Sequence, residues 1–168
     1  SSHDNGDKNE SLRERADRYL ALFRAANSAI FIMDNDRFID FNPKTMEIFR
    51  CGAEEMTQHH PWDFSPEFQP DGRLSRQIAI EKINLAGSGF PQFFEWQHCR
   101  CDGTLFDAEV SLNRVELSGK IYIQAIVTDV SKRKEAERAL RLERQRFQTL
   151  ADNAPFGMVL MDHNNGFL

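Results

Sequence analysis

Apolar residues change period along this chain. From Leu105 to Val130 they recur at nearly every second position, and from Ser131 they recur every three or four. Strands therefore give way to a helix at Asp129-Val130-Ser131. Three strands are predicted in this half: Phe93 to Cys101, Leu105 to Leu117 and Ile121 to Val130. Asp102-Gly103 and Ser118-Gly119 separate them, and both dipeptides tolerate the backbone of a tight hairpin turn. With Asp102 and Gly103 as a two-residue tip, Cys99 faces Phe106, Gln97 faces Ala108, Glu95 faces Val110 and Phe93 faces Leu112. With Ser118 and Gly119 as the second tip, Leu112 faces Ala125, Val110 faces Val127 and Ala108 faces Asp129. This register puts Phe106, Ala108, Val110, Leu112, Ile123, Ala125 and Val127 on one apolar face. It adds three polar residues, Glu95, Gln97 and Asp129, to that face and leaves His98 on the other.

Upstream, Leu12, Ala16, Tyr19 and Phe23 form a helical seam that can lie on the sheet or pair with another helix. Ala29 to Met33 and Phe38 to Phe41 flank the turn-forming Asp34-Asn35-Asp36 as a first hairpin. Asn42 as N-cap and Pro43 at the first helical position open a helix with Met46, Ile48 and Phe49 inward, ending near Cys51-Gly52. Short helical turns follow around Pro61 and Pro66, anchored by Trp62 and Phe64. Ser75 is expected to cap a helix carrying Ile78, Ile80, Ile83 and Leu85, which Gly87-Ser88-Gly89 stops. Strand, strand, several helices and three strands make an α+β fold, a five-stranded antiparallel sheet with its helices on one face.

The chain also repeats itself. Phe147 to Asp162 answers Tyr19 to Asp34: Leu150 matches Leu22, Ala154 matches Ala26, and Met158-Val159-Leu160-Met161-Asp162 matches Ile30-Phe31-Ile32-Met33-Asp34. The expected organisation is a disordered polar tail over 1–10, an N-terminal helix over 11–26, one domain over 27–130, a linking helix over 131–150 and the truncated start of a second copy over 151–168. In the linking helix Ala136, Leu140, Phe147 and Leu150 form a heptad seam, interrupted by Glu143.

The 168 residues suit one domain with a sizeable core, and the net charge of −5 argues against a nucleic-acid partner. Lys132-Arg133-Lys134 is interleaved with acids at i,i+4, Arg133 with Glu137 and Glu137 with Arg141, as on a solvated helix face. No apolar run approaches the roughly 20 residues of a membrane span, so no membrane contact is expected of this segment. Three cysteines make no disulfide framework, and Cys99 and Cys101, two apart on one strand, are poorly placed to bond each other. A reducing cytoplasm is the simpler setting. No zinc-type spacing is present, and no metal is expected.

In this order, Asn42-Pro43, Ser65-Pro66 through Gln69-Pro70-Asp71-Gly72-Arg73, Phe94-Glu95-Trp96, Asp102-Gly103-Thr104, and Asp129-Val130-Ser131 before Lys-Arg-Lys-Glu resemble a PAS domain with its C-terminal PAC portion. The match covers roughly Arg18 to Ala136. The resemblance implies a sensory and dimerisation module of a multidomain bacterial signal-transduction protein. Such parents are typically sensor histidine kinases of two-component systems, or diguanylate cyclases or phosphodiesterases. No ATP-binding glycine box, phospho-acceptor histidine context or GGDEF-type signature occurs here, so the segment itself is not expected to be an enzyme. Flavin-binding members share an Asn-Cys-Arg-Phe-Leu-Gln helix, which Phe49-Arg50-Cys51-Gly52 lacks. Haem-binding members use a pocket histidine on a helix that here has none, although His59-His60 lies nearby. The cofactor is unknown: neither haem nor flavin is expected, and a small metabolite or nothing remains.

Glu95 and Gln97 are the candidate pocket-lining residues, because a carboxylate aimed at a core needs a cation, a donor or a wet cavity. The plainer alternative is an internal ion pair with Arg73, Arg76 or Lys82. Asp129, Val130 and Ser131 are the candidate signal-transmission residues, by resemblance tying the exit helix to the sheet. The plainer role for Asp129 is a helix N-cap. The two seams point to a homodimer, with the partners being a downstream output domain of the same chain and a small-molecule ligand. A constitutive, ligand-free dimerisation module is the alternative. Catalysis by Glu95 as a base has no convergent nucleophile or acid to support it.

Overall fold

The computed structural model describes residues 2–154, and side chains from residue 9 onward. The chain divides into two units, Ser1–Val130 and Ser131–Leu168. The first holds helix α1 (Ser2–Ala25), strands β1 (Ala29–Asp34) and β2 (Arg37–Phe41), helices α2 (Pro43–Phe49) and α3 (Ala53–Gln58), a 3-10 turn (Pro61–Phe64), helix α4 (Ser75–Gly87), and strands β3 (Gln92–Cys99), β4 (Leu105–Leu117) and β5 (Lys120–Asp129). The second unit contains helix α5 (Ser131–Asn153). The second copy of the repeat, from residue 155 onward, lies outside the described residues.

All five strands join in one antiparallel sheet of order β2-β1-β5-β4-β3. The second hairpin has the expected register, with Leu112 opposite Ala125 and Val110 opposite Val127. Ser118 and Gly119 both take positive φ (52° and 77°), which suits the right-handed twist of the strands they join. All seven residues assigned to the apolar face are buried. The core adds Ala29, Phe31 and Met33 of β1, Ile48 and Phe49 of α2, Met56 of α3, Phe64 of the 3-10 turn, and Ile78, Ile83 and Ala86 of α4.

The first of these hairpins differs by one residue from the expectation. Cys99 pairs with Leu105, His98 with Phe106, Trp96 with Ala108 and Glu95 with Glu109. The turn is longer and odd-numbered. The Arg100 N–H donates to the Thr104 carbonyl at 2.8 Å and the Gly103 N–H to the Arg100 carbonyl at 2.9 Å, with Gly103 at φ 85°. Asp102 stabilises this turn by accepting from the backbone N–H and the hydroxyl of Thr104. One extra residue reverses every side chain of the strand. Trp96 and His98 therefore belong to the buried face, Glu95 is exposed and Gln97 is half-buried.

Three smaller corrections follow. Helix α1 begins at Ser2, so residues 2–10 are helical where a disordered tail was expected; the stretch contains no proline, and extending an existing helix costs little per residue. Ser75 is the first residue of α4 rather than its cap, which is Leu74. Its hydroxyl is buried against the side chain of Gln69. Ile80 and Leu85 are partly exposed, and Ala86 takes the inner position instead.

Asn42 holds the N-terminal half together. It caps α2 by accepting from the Thr45 N–H (3.1 Å) and hydroxyl (2.8 Å), and it accepts from the Ile30 N–H at 3.0 Å. Its amide donates to the carbonyls of Phe23 and Ser28, at 3.0 Å each. One fully buried side chain thus joins the end of α1, β1 and α2.

Candidate functional site

Between the sheet's apolar face and its helical cover lies a cavity of about 50 Å³. One water needs about 10–15 Å³, so the space suits a molecule of a few heavy atoms. Its walls are almost wholly apolar: Phe31 of β1, Phe49 of α2 and Phe64 of the 3-10 turn, Phe94 and Trp96 of β3, and Val110, Leu112, Ala125 and Val127 of the central strands. His98 and Ser65 are polar residues of this wall, and Lys82 adds its aliphatic stem or its ammonium group.

His98 is its chemically distinctive member. The imidazole is buried between Phe49 (centroids 5.1 Å apart, edge-on) and Phe106 (5.3 Å, stacked). Nδ1 lies 2.9 Å from the Phe64 carbonyl, which can only accept, so Nδ1 carries the proton. Nε2 is then a lone-pair acceptor, and it is buried with no hydrogen-bond partner among the described residues. Burial holds the ring neutral, lowering its pKa to about 4 against the smaller opposing effect of the Phe64 bond.

Neither residue proposed for this wall reaches it. Glu95 and Gln97 are absent from the cavity lining because of the one-residue change in register. Gln97 instead meets Gln69 through its backbone: its N–H donates to Gln69 Oε1 at 2.9 Å, while Gln69 Nε2 donates to the Gln97 carbonyl at 3.0 Å and to Ser75 Oγ at 2.8 Å. This clamp closes the loop before α4 onto β3. Arg73 pairs with Asp71, Arg76 lies over Trp62, and Lys82 reaches Gln92 and the Phe94 ring. His59 and His60 pair with Asp63 and Asp36, away from the cavity.

A second cluster sits where β5 ends. Asp129 Oδ2 accepts from Arg100 Nη2 at 2.6 Å, and both side chains are largely buried. The Arg100 guanidinium lies 4.0 Å from the centre of the Phe106 ring, whose other neighbours include His98, and it also donates to the Ile48 carbonyl at the end of α2. The Val130 N–H donates to the Asp107 carbonyl at 2.9 Å. Ser131 is the first residue of α5, so the chain leaves the sheet two residues after Asp129.

The hairpin tip beside Arg100 is joined to α2 three times over. A disulfide links Cys51 and Cys101, the Cys101 N–H donates to the Phe49 carbonyl at 2.9 Å, and Arg50 pairs with Asp102 at 2.5 Å. Hydrogen bonds from Thr104 and then the Arg50 guanidinium hold the Asp102 carboxyl well below the usual carboxylate range. Sequence reasoning weighed only Cys99 against Cys101; a bridge across fifty residues carries no local signal.

The seam residues fall on two helices. Leu12 and Tyr19 of α1 are exposed and Phe23 is partly buried; Ala136, Leu140, Phe147 and Leu150 of α5 are all exposed.

Among the described residues, no helix is long and apolar enough to cross a membrane. The chain resembles two curated signalling proteins. It is 23% identical over 167 residues to sporulation kinase E of Bacillus subtilis, covering 96% of this chain and 21% of that protein. It is 27% identical over 143 residues to the methyl sulfide methyltransferase-associated sensor of Methanosarcina acetivorans, covering 84% of this chain and 14% of that one. The chain thus spans about a fifth or less of these relatives. Its fold matches the PAS domain of an HTR-like protein from Haloarcula marismortui with a TM-score of 0.58 and 23% identity, over 74% of this chain and 98% of that structure. The PAS domain family model matches residues 27–132, the span of the sheet, its helical cover and the Asp129 junction. The chain belongs to the PAS domain family.

Proposed function

We propose that this chain is the ligand-sensing PAS module of a multidomain cytoplasmic signalling protein, a sensor histidine kinase or a diguanylate cyclase or phosphodiesterase. In this reading it works as a homodimer and passes the state of its cavity to an output domain through α5. The observation that carries the reading is the buried Nε2 of His98, which has no hydrogen-bond partner among the described residues, in a mostly apolar cavity. A buried acceptor left unmade costs about 1–3 kcal/mol, which a ligand donor would recover. The ligand class is a small, mostly apolar molecule with one hydroxyl or N–H group.

Transmission follows from neighbours in contact. His98 stacks on Phe106, Arg100 covers Phe106, and Arg100 grips Asp129 at the exit to α5. A ligand that moves His98 favours one arrangement of this row over another and shifts the population of output states. The kinase named among the relatives supports a kinase parent.

A second reading, a constitutive ligand-free dimerisation and coupling module, draws on the exposed apolar seam of Leu140, Phe147 and Leu150. Native mass spectrometry of the purified chain, with an absorbance scan from ultraviolet to red, separates the two. A small bound mass in each protomer supports sensing. A clean dimer without bound mass supports the second reading.

A further inference from the structure

We propose that Cys51 and Cys101 form a reversible thiol–disulfide site that reports the redox state of the glutathione pool to Asp129, independently of the cavity. The inference rests on the cytoplasmic placement proposed above, since in a reducing compartment a protein disulfide is transient and redox-sensing rather than structural. Three observations carry it. The two Cα atoms stand 5.5 Å apart, within the range a disulfide spans without backbone movement. Access is asymmetric, with Cys101 at the surface on the hairpin tip and Cys51 buried at the end of α2. The bridge also ties together the two segments that Arg100 joins, and Arg100 continues to Asp129.

The chemistry is a two-step exchange. The exposed Cys101 thiolate attacks one sulfur of glutathione disulfide; that S–S bond breaks, the first glutathione thiolate leaves, and a Cys101–glutathione mixed disulfide forms. The Cys51 thiolate then attacks the Cys101 sulfur and expels the second glutathione thiolate. Two cysteines are oxidised, one glutathione disulfide is reduced to two thiols, and the two cysteine protons end on the departing thiolates or in water. Excess reduced glutathione runs the sequence backwards. In the reduced state the hairpin turn keeps the Cys101–Phe49, Arg100–Ile48 and Arg50–Asp102 contacts to α2 but loses its one covalent tie, and the Arg50–Asp102 pair is exposed and adds little. Arg100 is then less firmly fixed, and so is its grip on Asp129.

The test uses the whole chain equilibrated in mixtures of reduced glutathione and glutathione disulfide, read by peptide mass spectrometry and by hydrogen–deuterium exchange of the Val130 amide. The bridge is expected to open and close with the glutathione ratio, and reduction should speed Val130 exchange about tenfold through local opening. Cys101→Ser, at an exposed position, should show the fast rate in both states, and Cys99→Ser should respond like the parent chain. A bridge that survives excess reduced glutathione would mark a structural disulfide and overturn the proposal. So would a bridge that opens without changing Val130. Glu55 lies with both sulfurs in a group able to hold a metal, so zinc uptake by reduced protein that blocks reoxidation would also overturn it. Stripping the cavity of ligand leaves this response intact if the proposal holds, which keeps its failure distinct from that of the sensing reading.

Discussion

Replacing His98 by Leu should flatten the pH dependence of stability. His98 has a folded pKa of about 4 against an ordinary 6.5, so its neutral form is the one the fold accepts. Above about pH 6.5 folded and unfolded chains both hold it neutral and it costs nothing. As the pH falls towards 4 the unfolded chain takes up a proton that the folded chain refuses, and stability is lost across that window. At about 1.4 kcal/mol per pKa unit, the loss between pH 7 and pH 5 is about 2 kcal/mol, and it approaches about 3 kcal/mol by pH 4. The ring is buried, so solvent screening reduces this figure little. His98→Leu deletes both the bond to the Phe64 carbonyl and the unmade Nε2 acceptor, effects of similar size and opposite sign, so the variant should stay within about 1 kcal/mol of the parent at pH 7 while losing less on acidification. Urea unfolding followed by the fluorescence of Trp96, buried near His98, measures both slopes. Parallel pH profiles for parent and variant would refute the reasoning, as would an NMR titration placing the His98 pKa near 6.5.

The other predictions concern the supports of the site. Asn42→Ala removes a helix cap and strands several buried donors and acceptors, so urea unfolding should report a loss of about 2–4 kcal/mol, against under 1 kcal/mol for the exposed Asn84→Ala. Asp129→Ala should leave the secondary structure by circular dichroism intact while uncoupling the output of the full-length parent; unchanged signalling would count against the junction. Gly103→Ala puts a side chain at φ 85° and should cost about 1 kcal/mol, whereas Gly52→Ala, with ordinary φ and open space around it, should cost less than half of that in the same assay.

The fold was legible because its signals are periodic and local. Alternation along β4 and β5, with a two-residue turn at Ser118-Gly119, placed seven core residues without error. The site was legible only in part, because a parity choice at one turn decided it. Asp-Gly occurs both in two-residue tips and, as here, in a longer turn with glycine in the left-handed region, and local residue types do not separate the two. A usable signal did exist: the register chosen from the dipeptide buried Glu95 and Gln97, whereas the alternative buries Phe94, Trp96 and His98 and costs far less desolvation. Gln69, Arg100 and the Cys51–Cys101 bridge lay beyond sequence reasoning, since each acts through a partner about 28 to 50 positions away. Asp129 stands out in the sequence because it closes a strand just before the period changes.

The most direct test of the sensing account is the imidazole nitrogen NMR spectrum of His98, recorded on the chain as purified and again after unfolding, removal of small molecules and refolding. The account predicts that Nδ1 stays protonated throughout while the Nε2 resonance moves on stripping, as it loses a donor. An Nε2 resonance identical before and after, or a proton found on Nε2 in both samples, would contradict it.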